Sequence, residues 1–209
     1  MTTRYEGTRL SADEALGRLI EGNQRFLRGE ARSFAFRLET FTDLAKAQRP
    51  YATVLGCSDS RVPPEWIFDA GPGELFVIRV AGNVFSPEIA GTLQYAGSYL
   101  ETPLFVILGH EGCGAIAAAL ATKHQGEQFR SRVQLLLASI LPGLPDFDPT
   151  LSPDEQMSRA VESNVRWTVR QILDSPEGEA RMAEGRMKIV GAVYEIETGR
   201  VRLLPPEKR

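Results

Sequence analysis

Tyr51–Arg61, YATVLGCSDSR, is the stretch whose reading decides the fold. A short apolar run ends abruptly in Gly56, Cys57, Ser58, Asp59, Ser60 and Arg61. An unbroken hydrophobic segment of this length, closed by glycine and polar residues, reads as a strand buried on both faces. Its polar cluster then falls at the strand's C-terminal end, where open α/β sheets place their chemistry. Pro103–Gly109, PLFVILG, repeats the grammar and runs into His110, Glu111, Gly112, Cys113 and Gly114. Two thiols and an imidazole thus stand at the ends of two strands, and these are the chain's only two cysteines.

Outward from these strands, Leu75–Val80 reads as a strand, with Ala81, Gly82 and Asn83 at its end. Lys188–Ile196 reads as a fourth strand, and Val201–Leu204 returns from a turn at Thr198-Gly199 as a hairpin partner. Helices are predicted between them. Residues 11–28 carry Leu16, Leu19, Ile20, Asn23, Phe26 and Leu27 at helical period behind a capping box of Ser11 and Glu14. A short helix is predicted at 42–48, a turn of helix at PPEWIFD after Pro63, and a helix from Ser86 to Leu100. Ala115–Ala121 and residues 128–141 follow, then a long helix from the Ser152–Glu155 capping box to Asp174, with Met157, Val161, Val165, Thr168 and Ile172 inward. Strand alternating with helix predicts an α/β fold: a mainly parallel sheet of about four strands plus an edge hairpin strand, flanked by helices, with an N-terminal helical arm. Residues 1–50 form that arm and 51–209 the domain, the arm packing across the domain or onto a partner chain.

Composition narrows the classes. With 209 residues the chain can bury a sizeable core, and 43% hydrophobic with 24% charged residues is ordinary for a globular protein. A net charge of −3 gives no electrostatic reason to expect nucleic acid. No segment reaches the roughly 20 apolar residues of a membrane span, and MTTRYEGTRL has no apolar run of a secretory leader. Two cysteines are no disulfide scaffold, so a cytoplasmic location is expected.

Zinc takes thiolate and imidazole ligands, and catalytic zinc keeps three protein ligands and an open position. Cys57, His110 and Cys113 supply such a set. A tight turn can aim His110 and Cys113 at one point, and the 53 residues from 57 to 110 suit an intervening crossover. By spacing alone, two small buried cysteines with a satisfied loop histidine, or a disulfide, remain open. A phosphate cradle at residues 109–114 is disfavoured, since neither dinucleotide nor P-loop spacing is present. Asp59 and Arg61 can pair, keeping the carboxylate ionised either beside a metal-bound water or simply to tie down the loop. Arg79 and Asn83 flank Ala81-Gly82 and would line the same crevice. His124 reads as a solvated residue on an exposed helix.

Taken together, CSDSR at 57–61, RVAGN at 79–83 and HEGCG at 110–114 resemble the β-class carbonic anhydrases, as does the closing VGAVYEIETGRV at 190–201. The resemblance covers about residues 11–205. It implies reversible hydration of carbon dioxide to bicarbonate and a proton by a zinc-bound hydroxide. Cys57, His110 and Cys113 would be the metal ligands, and Asp59 and Arg61 the catalytic dyad. Gln48 and Gly114 match substrate-side positions, Ala81 lies in the crevice, and Phe76 and Tyr95 match aromatic walls contributed across a dimer interface. A homo-oligomer built from dimers is implied, with the 1–50 arm on the partner. In a second resting form of the family Asp59 becomes a fourth zinc ligand. Members that close this way on binding bicarbonate carry tryptophan at the position of Val54, while Arg79 and Tyr194 match the rest of that pocket, so the open form with Asp59 on Arg61 is expected. Two thiolates on zinc should also make activity rise through alkaline pH. Relatives that hydrolyse carbonyl sulfide or carbon disulfide use the same ligands, and a non-catalytic zinc module is the remaining reading.

Overall fold

The computed structural model describes residues 10–32, 42, 44–185 and 187–206. Five strands form one sheet: β1 (Ala52–Gly56), β2 (Leu75–Arg79), β3 (Leu104–His110), β4 (Lys188–Tyr194) and β5 (Val201–Leu203). Their order is β2-β1-β3-β4-β5, with the first four parallel and β5 antiparallel to β4. The strand at Tyr51–Gly56 therefore lies inside the sheet, as its unbroken apolar character requires. The chain leaves β1 toward β2 on one side and then returns to β3 on the other. The β1/β3 boundary is thus the point where strand order reverses, and the crevice at the carboxyl ends there is where open sheets hold ligands.

Alternate residues serve alternate faces. Leu55, Ile78, Phe105 and Ile107 join one apolar layer with residues of three helices: α4 (Gly114–Gln125), α5 (Ser131–Ile140) and α6 (Pro153–Leu173). Val54, Leu104, Val106 and Leu108 join the other, with α1 (Ala12–Leu27) and α2 (Pro64–Ile67). Both capping boxes form as spaced, at Ser11/Glu14 and Ser152/Glu155. In the single chain, α1 covers its own sheet: Ala15 and Leu19 are buried, and Asn23 donates to the carbonyls of Ile67 (3.1 Å) and Gly199 (2.9 Å). Close approach of α6 depends on Gly109, where an added Cβ would stand 2.5 Å from Val165.

Several bounds move. The helix expected to run from Ser86 to Leu100 is α3 (Pro87–Tyr95) followed by one wider π turn, Ala96–Leu100. The alanine-rich helix runs on to Gln125, and β4 stops at Tyr194 because residues 195–200 make the hairpin turn. A further helix, α7 (Pro176–Ala183), was not expected. Its signal was present: Ser175 caps the Gly178 amide and proline stands in the first turn. The helix expected at 42–48 lies partly outside the described residues.

Candidate metal centre

Cys57 leaves the end of β1, His110 closes the adjacent β3, and Cys113 is the N-cap of α4, where the helix dipole favours a thiolate. Each side chain is held by its neighbours. Arg79, the last residue of β2, donates from Nε to the Cys57 carbonyl at 3.0 Å and from Nη2 to the Asp59 carbonyl at 2.5 Å. The Gly82 amide donates to Cys57 Sγ at 3.4 Å. Past His110, the Glu111 amide donates to the Tyr194 carbonyl at 3.0 Å, extending the β3–β4 ladder into the loop.

The two sulfurs are 3.9 Å apart and belong to free cysteines, so the disulfide alternative falls. His110 Nδ1 lies 2.8 Å from the Glu111 carbonyl, which makes it the N–H donor and turns the Nε2 lone pair inward. That Nε2 is buried with no hydrogen-bond partner among the described residues. One ligand atom from each of Cys57, His110 and Cys113 lies within 4.8 Å of the others. Two thiolates each about 2.3 Å from a tetrahedral zinc stand roughly 3.8 Å apart. The donor set, the sulfur separation and the orphaned nitrogen all fit one cation, and zinc suits this mixture best. A satisfied loop histidine, the other open reading, is excluded by the bare Nε2.

Without a cation the pair of thiols shares one proton. The hydrogen bond from Cys113 lowers Cys57, and the same bond pushes Cys113 up, since a second negative charge would sit beside the first. A dication removes that conflict by compensating both charges.

Asp59 stands at the rim. Arg61 grips it bidentately, Nε to Oδ1 at 2.9 Å and Nη2 to Oδ2 at 2.8 Å, and the Arg61 amide adds a bond to Oδ1 at 3.0 Å. These bonds hold the carboxyl well below the usual carboxylate range. Oδ2 nevertheless lies 3.9 Å from His110 Nε2, so the carboxylate reaches the edge of the cluster while bound to Arg61.

The model for the family described as carbonic anhydrase matches residues 52–201. This chain belongs to the β-class carbonic anhydrase family. Carbonic anhydrase 2 of Mycobacterium tuberculosis is 38% identical over 189 residues, covering 88% of this chain and 89% of the relative. A carbonic anhydrase of Mycolicibacterium smegmatis is 36% identical with the same coverage. The solved β-carbonic anhydrase of Coccomyxa, in complex with acetazolamide, superposes with a TM-score of 0.72 at 30% identity, covering 90% of this chain and 86% of that one. β-Carbonic anhydrases are zinc enzymes, in keeping with the cluster.

Other residues matched to the family are spread more widely. Gly114 opens α4 beside Cys113, and Ala81 begins a 3-10 turn, Ala81–Asn83, next to Cys57. Gln48 is exposed on the segment entering β1, at the strand end opposite Cys57. Phe76 sits near the start of β2, its ring 6.2 Å from that of Tyr95, which in turn stacks on Tyr99 at 5.3 Å. Within one chain these three residues are not gathered at the cluster. Val54 is fully buried in the opposite apolar layer, and Tyr194 is buried there too. His124, expected to be solvated, is half-buried, with Nε2 3.3 Å from the Pro145 carbonyl and its ring edge-on to Phe147.

Three participants escaped the sequence reading. Gly82 reaches Cys57 through its amide, and Asn164 and Thr168 of α6 hold the carbonyls of Gly82 and Asn83 at 2.8 and 3.2 Å. Thr168 was expected only as part of a buried stripe. Asn164, a polar residue between Val161 and Val165 on that stripe, was the available signal.

Proposed function

We propose that this chain catalyses the reversible hydration of carbon dioxide to bicarbonate and a proton, as a zinc-dependent carbonate dehydratase. The observation that carries the reading is the pair of free sulfurs 3.9 Å apart facing the bare Nε2 of His110, with family membership behind it. Cys57, His110 and Cys113 would hold zinc. When bound, zinc supplies an acidified water, a strong nucleophile near neutral pH. Asp59 is the proposed acceptor and orienting group: ionised through the working pH range, it offers Oδ2 at the cluster's edge. Arg61 keeps that oxygen in place and keeps the carboxylate from becoming a ligand, which corresponds to the open form. Gly114, at the helix N-terminus, offers its amide to a substrate oxygen, and Ala81 gives the crevice an apolar wall for an uncharged gas.

Gln48, Phe76 and Tyr95 enter the proposal through a second copy of the chain. A dimer would complete the pocket with residues that one chain leaves elsewhere, and residues 1–50 would add to that contact through the outward Ile20 and Leu27, which are 39% and 42% exposed. A cytoplasmic location suits two adjacent thiols that must stay reduced. No helix among the described residues is long and apolar enough to cross a membrane.

The deciding experiment measures zinc stoichiometry and stopped-flow carbon dioxide hydration for the protein and its Asp59→Asn variant. One zinc per chain and hydration that collapses in the variant support the reading. Zinc without hydration would point to a non-catalytic module, and turnover of carbonyl sulfide or carbon disulfide in its place would move the substrate.

A further inference from the structure

We propose that Asn164 and Thr168, on consecutive turns of α6, are positioning residues for the metal centre: they hold the Ala81–Asn83 turn so that the Gly82 amide stays on the sulfur of Cys57. The inference rests on the reading of Cys57 as a metal ligand. Gly82 (φ 68°) and Asn83 (φ 43°) are both left-handed, a conformation a non-glycine residue such as Asn83 keeps only when its surroundings enforce it. Gly82 is closely packed, and a Cβ there would stand 2.8 Å from Ile140 and 3.2 Å from Ala115. The enforcement is polar. Asn164 Nδ2 donates to the Gly82 carbonyl at 2.8 Å, and the Thr168 hydroxyl, one turn on, donates to the Asn83 carbonyl at 3.2 Å.

Both side chains are buried, and the other half of the Asn164 amide, Oδ1, has no partner among the described residues. A buried amide with one idle end costs stability where an apolar residue would serve the core. What it maintains is the 3.4 Å contact from the Gly82 N–H to Cys57 Sγ. A hydrogen bond to a thiolate withdraws electron density from it, and bonds behind the ligands set ligand orientation and metal affinity. Helix α6 thus acts on the metal through backbone, with no side chain of its own at the cluster.

The test is made on the full chain loaded with Co2+, whose sulfur-to-metal charge-transfer band reports the thiolate directly, and on zinc affinity measured by chelator competition. Asn164→Leu and Thr168→Val should move the band to longer wavelength and weaken zinc by about 10-fold. Thr168→Ser, which keeps the hydroxyl, should restore both. Ile172→Val, a core truncation on the same helix, should lower the melting temperature and leave band and affinity alone. If Asn164→Leu does not fold, the Thr168 valine and serine pair decides. A wild-type band and affinity within about twofold in Thr168→Val, or the same shift in Ile172→Val, would overturn the proposal. Absence of any thiolate band in the cobalt-loaded wild type would instead overturn the metal reading, and this inference with it.

Discussion

Two aspartates ten residues apart, Asp59 and Asp69, serve opposite ends of the same sheet. Asp69 follows α2, is 2% exposed, and has every carboxylate oxygen engaged. Arg25 donates to Oδ2 at 2.6 Å, and Arg32 donates to Oδ1 through its amide at 2.8 Å and to Oδ2 through Nε at 3.1 Å. Glu74 joins this network through Arg18, Arg32 (2.9 Å) and the Gly71 amide (2.7 Å). Asp59 is also gripped by arginine, but its partner is 55% exposed and its Oδ2 looks past the pair to a bare nitrogen. The Asp69 network is closed and ties α1 to the chain around the starts of β1 and β2. The Asp59 pair is open on the side of the metal cluster. The first pair has nothing left to bond; the second borders an unsatisfied ligand atom, as the proposed proton acceptor must.

That contrast can be broken by experiment. The largest effect is expected from Cys113→Ala or exhaustive chelation: carbon dioxide hydration falls to the uncatalysed rate and zinc content drops, read by stopped flow and metal analysis. Next, Asp59→Asn should lower kcat/KM on the order of 10²–10⁴-fold, while denaturant titration shows a stability change under about 1 kcal/mol for so exposed a pair. Asp69→Asn should do the reverse, losing about 3 kcal/mol of stability with activity per folded molecule retained. Equal loss of activity in the two variants would erase the distinction.

The pH dependence sharpens it further. Burial pushes the Asp69 carboxyl up, but ion pairing with Arg25 and Arg32 overrides it and leaves the pKa lowered. As pH falls, the unfolded chain takes up that proton first, so the stabilisation is complete above about pH 4 and drains away below it. Denaturation midpoints measured down through pH 4 should therefore decline less steeply in Asp69→Asn than in the wild type. The smallest effect concerns Tyr51, which Arg18 covers at 4.6 Å and which burial raises to about 12. A phenol harder to ionise in the folded state stabilises fully below about pH 10 and progressively less above it. Tyr51→Phe should flatten that alkaline decline.

Strand character and capping boxes were legible in the chain because each depends on neighbours within a few residues, whereas the candidate ligands were legible only by residue type and by their likeness to the family's motifs. A buried strand is apolar throughout, and a capping box needs Ser and Glu three apart. Helix α7 was missed although its cap was equally local, since its residues carry too little apolar character to stand out against a polar linker. The left-handed turn at Gly82 and Asn83 was not legible at all. The side chains that pack against it and bond its carbonyls, Ile140, Asn164 and Thr168, are far away along the chain and arrive only when α5 and α6 settle on the sheet.

By itself, then, the sequence determined which residues could bind a metal, at which strand ends they sit, and the family to which the chain belongs. Only tertiary structure decided that β1 and β3 are neighbours, so that sulfurs 56 positions apart stand 3.9 Å from one another. It alone decided, too, that the Nε2 of His110 beside them is left unsatisfied and that Phe76 and Tyr95 are drawn together away from the cluster. The physical reason is range. Propensity and periodicity act over a few residues, whereas a ligand sphere is made by parts of the chain that meet through strand order, register and the helices packed upon them.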